Sequence, residues 1–235
     1  MPYQFSKAFY FKQCWLLGLT ALLFLLISRN QALDIYLSDL WFSSESQSFP
    51  LIDNYWLAVV NHVYVKNAII AFSLGVMLLG IIKRRYDWFI IALIMIAGPL
   101  VVSALKSVSA HSCPWELVRY GGDGLEYPLL GPVSNMAGKG GCFPGGHASG
   151  GFALMGLFFI LYPYSRKWAT TAVVFAVGLG LLMGFGQVMR GAHFFSHNLW
   201  SAWWVWFTQL ALYFVYSNIV RVFISKRSLA LKGSV

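Results

Sequence analysis

Three clusters of reactive residues are spaced along the 235-residue chain. Lys106 is followed by His111, Cys113 and Pro114; Pro144-Gly145-Gly146-His147 comes next; Arg190 precedes His193 and His197. Two imidazoles are enough for phosphoryl transfer in two steps, one attacking phosphorus and the other protonating the leaving oxygen. Lys106 and Arg190 add positive charge, and the guanidinium adds a two-pronged fork for phosphoryl oxygens. The Gly145 and Gly146 N–H groups stand at a predicted helix start, where dipole and donors favour an anion. Zinc is the competing use of His147, His193 and His197. Two cations alongside, no carboxylate ligand, and ligand spacing only at His193/His197 argue against it. Neither a metal nor a cofactor is expected.

Taken singly, each residue has a plainer reading. Lys106 could reach for lipid headgroups, His147 could simply open a helix, and Arg190 could snorkel. Their convergence carries the inference, because the elements that hold them read as membrane spans. Hydrophobic residues make up 58% of the chain and charged residues 11%. A soluble surface needs roughly 25–35% of its positions charged, so a soluble globular enzyme is excluded. Disorder is excluded too, with 17% of residues aromatic. The net charge of +9 does not point to nucleic acid, because the basic residues flank apolar segments.

Six apolar stretches are predicted to span the bilayer: 13–28, 65–82, 88–105, 148–162, 168–189 and 199–220. No alternating pattern suggests a barrel, so the spans are helices. The first lacks a small-residue cleavage site and reads as a retained helix. Eleven Lys and Arg residues, Lys83, Arg84 and Arg85 among them, fall on the side of both termini, against six on the other. That bias predicts both termini in the cytoplasm and the three reactive clusters outside. Ionisable groups gathered at helix ends on one face mark a functional site. Polar residues at one face rather than mid-membrane argue against a pore or transporter. The outer segment 29–64 reads as an interfacial, partly helical hairpin. Segment 106–147 is too long and too rich in Cys, Trp and His for a plain link. The expectation is an all-α bundle of six transmembrane helices, one domain over residues 1–235, with an outward-facing site and a long structured loop between the third and fourth helices.

With these residues in view, the chain resembles the type 2 phosphatidic acid phosphatase family of membrane lipid phosphatases, which has a haloperoxidase-like core. That family's pattern has Lys, six residues, Arg-Pro; then Pro-Ser-Gly-His; then Ser-Arg, five residues, His, three residues, Asp. Here the elements read Lys106 to Cys113-Pro114, Pro144-Gly145-Gly146-His147, and Gly186-Gln187 to His193 and His197. The resemblance implies that His193 is the nucleophile forming a phosphohistidine and that His147 is the general acid. Lys106, Arg190, Gly145 and Gly146 would hold the phosphoryl oxygens, with no metal. Four departures stand out. Cys113 takes one Arg position, Gly145 removes a hydroxyl, Gln187 takes the second Arg position, and His197 replaces the Asp that orients the nucleophile. Arg190 is read as the relocated cation and His197 as the orienting partner of His193, with Glu116 or Asp123 as alternative carboxylates.

Cys113 and Cys142, both in the outer loop, could pair as a disulfide if that side is oxidising, organising the site in place of the missing Arg. The reading is therefore a bacterial inner-membrane lipid phosphatase with its site facing the periplasm. Its partners would be the bilayer and a phosphorylated lipid of the phosphatidic acid, phosphatidylglycerophosphate, undecaprenyl diphosphate or lipid A type. Two alternatives stay open: a lipid-to-lipid phosphotransferase, and a degenerate relative that binds lipid phosphates without cleaving them.

Overall fold

The computed structural model describes residues 2–29, 31–129, 131–133 and 135–232, with side chains up to residue 223. Seven helices carry it: α1 (Lys7–Ser28), α2 (Ala32–Asp39), α3 (Trp56–Ile82), α4 (Tyr86–Ser107), α5 (Gly146–Leu161), α6 (Arg166–Met189) and α7 (Phe195–Lys232). Among the described residues there is no strand. Helices α1, α3, α4 and α6 are long and apolar enough to cross a membrane. Four such helices fit a multi-pass membrane protein. The other two expected spans are also helical but differ in kind. Helix α5 is short, and α7 dilutes its apolar residues with Trp200, Trp203, Trp204, Tyr213 and Tyr216. Lys226, Arg227 and Lys232, counted in the charge bias, lie where only the backbone of α7 is described.

Helix α5 is the axis of the bundle. Ala148, Phe152 and Phe159 are buried against Met95 of α4, Met183 of α6, and Val205 and Tyr213 of α7. A helix surrounded in this way must let backbones approach. At Gly151 the approach is closest: an added Cβ would lie 2.5 Å from the Gly180 nitrogen of α6. Helix α5 also breaks its α-helical pattern at a tight turn over Leu154–Gly156. Just before the break, Gln209 of α7 donates to the Ala153 carbonyl at 2.7 Å. The first ten residues of α3, Trp56–Val65, are wound as a π-helix. Such wide turns are rare and mark functional positions. Asn61, within it, donates to the Met183 carbonyl of α6 at 3.2 Å.

Segment 29–64 is more than an interfacial hairpin. Its Phe49 is buried with Leu117, Tyr120 and Phe194. Arg119 pairs with Asp39 at 2.7 Å, and the Tyr120 hydroxyl donates to the same carboxylate at 2.9 Å. Asp34, buried, accepts from the Ser196 backbone N–H at 2.8 Å and from the Ser196 hydroxyl. A carboxylate there takes up first-turn donors of α7 and complements its positive end.

The loop between α4 and α5 folds back on itself. Cys142 N donates to His111 O at 2.8 Å, and Ser112 Oγ donates to Ala137 O. Cys113 and Cys142 then lie with Cα atoms 5.2 Å apart and are joined as a disulfide closing a separation of 29 residues. On chain-entropy grounds such a closure contributes ~3–4 kcal/mol. The Cys113→Ser/Cys142→Ser double variant is expected to lose most of that, measured as a lowered thermal midpoint of purified protein in detergent.

Candidate active site

Each sequence cluster is delivered by a different helix end. Lys106 lies in the last turn of α4, Gly146 and His147 in the first turn of α5, and Arg190 caps the end of α6. His193 sits in the turn between α6 and α7, with Gly191 in the left-handed region at φ +71°. An added Cβ at Gly191 would run into the Phe49 ring, so both the turn and the packing of Phe49 require glycine there. The Gly191 carbonyl accepts from Trp115 N at 3.0 Å, which ties the first cluster to the third.

The two imidazoles assigned to catalysis converge. The ring centroids of His147 and His193 are 6.3 Å apart. His193 is 2% exposed. Burial first, then the Lys106 charge and the neighbouring His197 and His147 rings, hold it well below the ordinary histidine range. Lys106 reaches over the α5 start: an added Cβ at Gly146 would lie 3.9 Å from its Nζ. First-turn N–H groups, Gly146's included, have no intrahelical acceptor. Arg190 is half-buried; its Nε donates to Ile52 O at 2.7 Å and its Nη1 to Gln187 Oε1 at 3.1 Å. Gln187, in the family's second Arg position, therefore anchors the displaced guanidinium.

Two expected roles do not hold. Gly145 N is engaged by His197 O at 2.9 Å, and Gly145 O accepts from Ser201 Oγ at 2.8 Å. With its donor used internally, Gly145 packs the turn against α7, and an added Cβ would clash with Asn198. Nor does His197 orient His193. Its Nδ1 is 2.9 Å from Cys142 O, and the His193 and His197 rings are 6.0 Å apart. A carbonyl only accepts, so His197 donates from Nδ1. The nearest partner of His193 Nδ1 is Cys142 Sγ at 3.2 Å. A disulfide sulfur has no proton, so that contact assigns the hydrogen to Nδ1 and leaves the Nε2 lone pair free. Glu116 is not recruited to His193; its carboxylate accepts from Cys113 N at 2.9 Å. The Cys113 and Cys142 sulfurs and a His193 nitrogen lie within 4.8 Å, but sulfurs bonded to each other offer no thiolate to a metal.

His62 and Lys66 were missed as site residues. The His62 ring meets the His147 ring at a centroid distance of 3.6 Å. Lys66 lines the same cavity as Lys106, Gly146 and His147. The signal was present in the sequence: an imidazole and an ammonium four residues apart share a helix face.

A family model, the PAP2 superfamily, matches residues 87–221, from the start of α4 through most of α7. The chain belongs to the PAP2 superfamily. Members of this superfamily are phosphatases, hydrolases of phosphate esters, and membership suggests that activity for this chain. Nothing among curated proteins or solved structures matches it. The matched stretch contains Lys106, His147, Arg190 and His193, whereas His62 and Lys66 come from α3, which precedes it.

The lowered His193 pKa has a consequence for stability. The unfolded chain takes up a proton near the ordinary value of 6.5, while the folded one resists. Stability is therefore fully present above pH 6.5 and declines as pH falls below it, down to the folded value. The thermal midpoint is expected to drop between pH 6.5 and 5, and His193→Gln is expected to lessen that drop. Equal slopes in the two proteins would contradict it.

Proposed function

We propose that this member of the PAP2 superfamily is a single-domain membrane lipid phosphatase. It removes phosphate from a phosphorylated lipid of the phosphatidic acid, phosphatidylglycerophosphate, undecaprenyl diphosphate or lipid A type. It has six spans, counting α5 and the apolar part of α7. Both termini are cytoplasmic, and the site faces the periplasm of a bacterial inner membrane. The observation carrying this reading is the pair of imidazoles, His147 and His193, with ring centroids 6.3 Å apart beside Lys106 and a helix start. That span admits one phosphoryl group with an attacking nitrogen on one side and a proton donor on the other.

In this reading His193 Nε2 attacks phosphorus, and the bond from phosphorus to the lipid oxygen breaks. His147, protonated once the phosphate anion is bound, gives its proton to the departing oxygen. Water, deprotonated by His147, then releases phosphate and restores His193. Lys106, Arg190 and the Gly146 N–H hold the three outer oxygens as charge develops, where loss of one donor costs about 10²–10³ in rate. His197 supports this through the Cys142 carbonyl and takes no part in the chemistry.

Purified protein is to be assayed for phosphate release over a panel of lipid phosphates. Release is expected for at least one, abolished together with acid-labile phosphoenzyme in His193→Ala. His147→Ala is expected to reduce turnover by roughly 10²–10⁴. No release from any lipid would refute the proposal. Transfer to a second lipid without free phosphate would make the enzyme a phosphotransferase.

A further inference from the structure

The cavity that His147 lines holds two ammonium groups, Lys66 and Lys106. It is a groove of ≈ 480 Å³ between α3, α4 and α5. Lys66, Lys106 and His147 line it together with apolar side chains such as Ile69, Leu74 and Leu100. Lys66 is half-buried, one helical turn beyond His62 on α3. No acidic residue lines the groove. Among the described residues the ion pairs are Arg85–Asp87 and Arg119–Asp39, so Lys66 has no carboxylate to neutralise it. A lysine on a spanning helix, turned into a cavity without a counter-ion, is expensive and implies an anionic ligand.

We propose that Lys66, with His62, forms a second anion subsite for the inner phosphate of a lipid diphosphate, the one next to the lipid chain. The proposal rests on the phosphatase reading and narrows its substrate class. Charge complementarity carries it: Lys66 adds a second ammonium to Lys106 in one groove without an acidic lining residue, which suits a diphosphate monoester better than a phosphate monoester dianion. The groove supplies the second argument, since its apolar wall begins where the inner phosphate ends and the lipid chain must start. When His193 takes the outer phosphoryl group, the bond between that phosphorus and the bridging oxygen breaks. The bridging oxygen keeps the electron pair, and the lipid leaves as a monophosphate whose phosphate stays beside Lys66. Water then frees the outer phosphate from His193. A phosphate leaving group needs less help from a proton than an alkoxide does, so Lys66 and His62 share the task otherwise left to His147.

The test uses farnesyl phosphate and farnesyl diphosphate as matched probes in detergent, and inorganic pyrophosphate as the soluble alternative. Binding is measured by calorimetry to the His193→Ala protein, which cannot turn the probes over. The diphosphate is expected to bind about tenfold or more tightly than the monophosphate, as one additional charge-assisted contact allows. Adding Lys66→Ala is expected to cut that ratio at least fivefold, and Lys66→Arg to retain most of it. A ratio near one, or a loss smaller than fivefold, overturns the subsite. Pyrophosphate binding as tightly as farnesyl diphosphate overturns the lipid assignment. Parallel turnover by otherwise native protein separates the two readings: if neither probe releases phosphate, the phosphatase reading is what suffers, while the binding ratio still judges Lys66.

Discussion

Lys66, Lys106 and His147 line one groove, with the His62 ring against His147 and the His193 ring 6.3 Å from it, and like charges there repel. At an effective dielectric near 20, two unit charges about 6 Å apart oppose each other by roughly 3 kcal/mol. Keeping the histidines neutral limits the cost, and burial does this for His193. In the proposed reaction an incoming phosphate reverses the sign of the balance. Much of the structure around the end of α4, the start of α5 and the end of α6 can be understood as a clamp that keeps these groups together.

The clamp has three parts. The disulfide binds the segment after α4 to the segment before α5 and sets the Cys142 carbonyl and sulfur against His197 and His193. Asp34 takes the first donors of α7 and so fixes the turn that carries His193. Phe49, Phe194, Leu117 and Tyr120 close an apolar cluster above that turn. Segment 29–64 therefore belongs to the architecture of the site although it lies before the family-matched stretch. A sulfur and a carbonyl face His193 and His197 where the family pattern has a carboxylate. Both polarise an imidazole less than an ionised acid does, so His193 is oriented more than it is activated.

Much of this was legible in the residues. Composition excluded a soluble protein, hydropathy located the four long apolar helices, and spacing singled out Lys106, His147, Arg190, His193 and the cysteine pair. Those features are local: a run of apolar residues or a fixed interval between side chains retains its meaning wherever the chain goes. The errors fell elsewhere. Gly145 was assigned a phosphate contact because a helix start exposes donors, yet His197 O, 52 positions away, uses that donor. His197 was assigned to His193 by analogy with a carboxylate. The direction of its ring depends on the Cys142 carbonyl, which the folded loop brings within reach.

What the sequence determined by itself was the long apolar helices, the family resemblance and the spacing of the reactive residues, since these depend on residue type and near-neighbour spacing. Tertiary structure alone decided which donors are already spent, that the His62 ring meets His147 and Lys66 shares a groove with Lys106, and what faces each imidazole nitrogen. A hydrogen bond is settled within about 3 Å, and no one-dimensional spacing reports which helix from elsewhere in the chain will arrive at that distance.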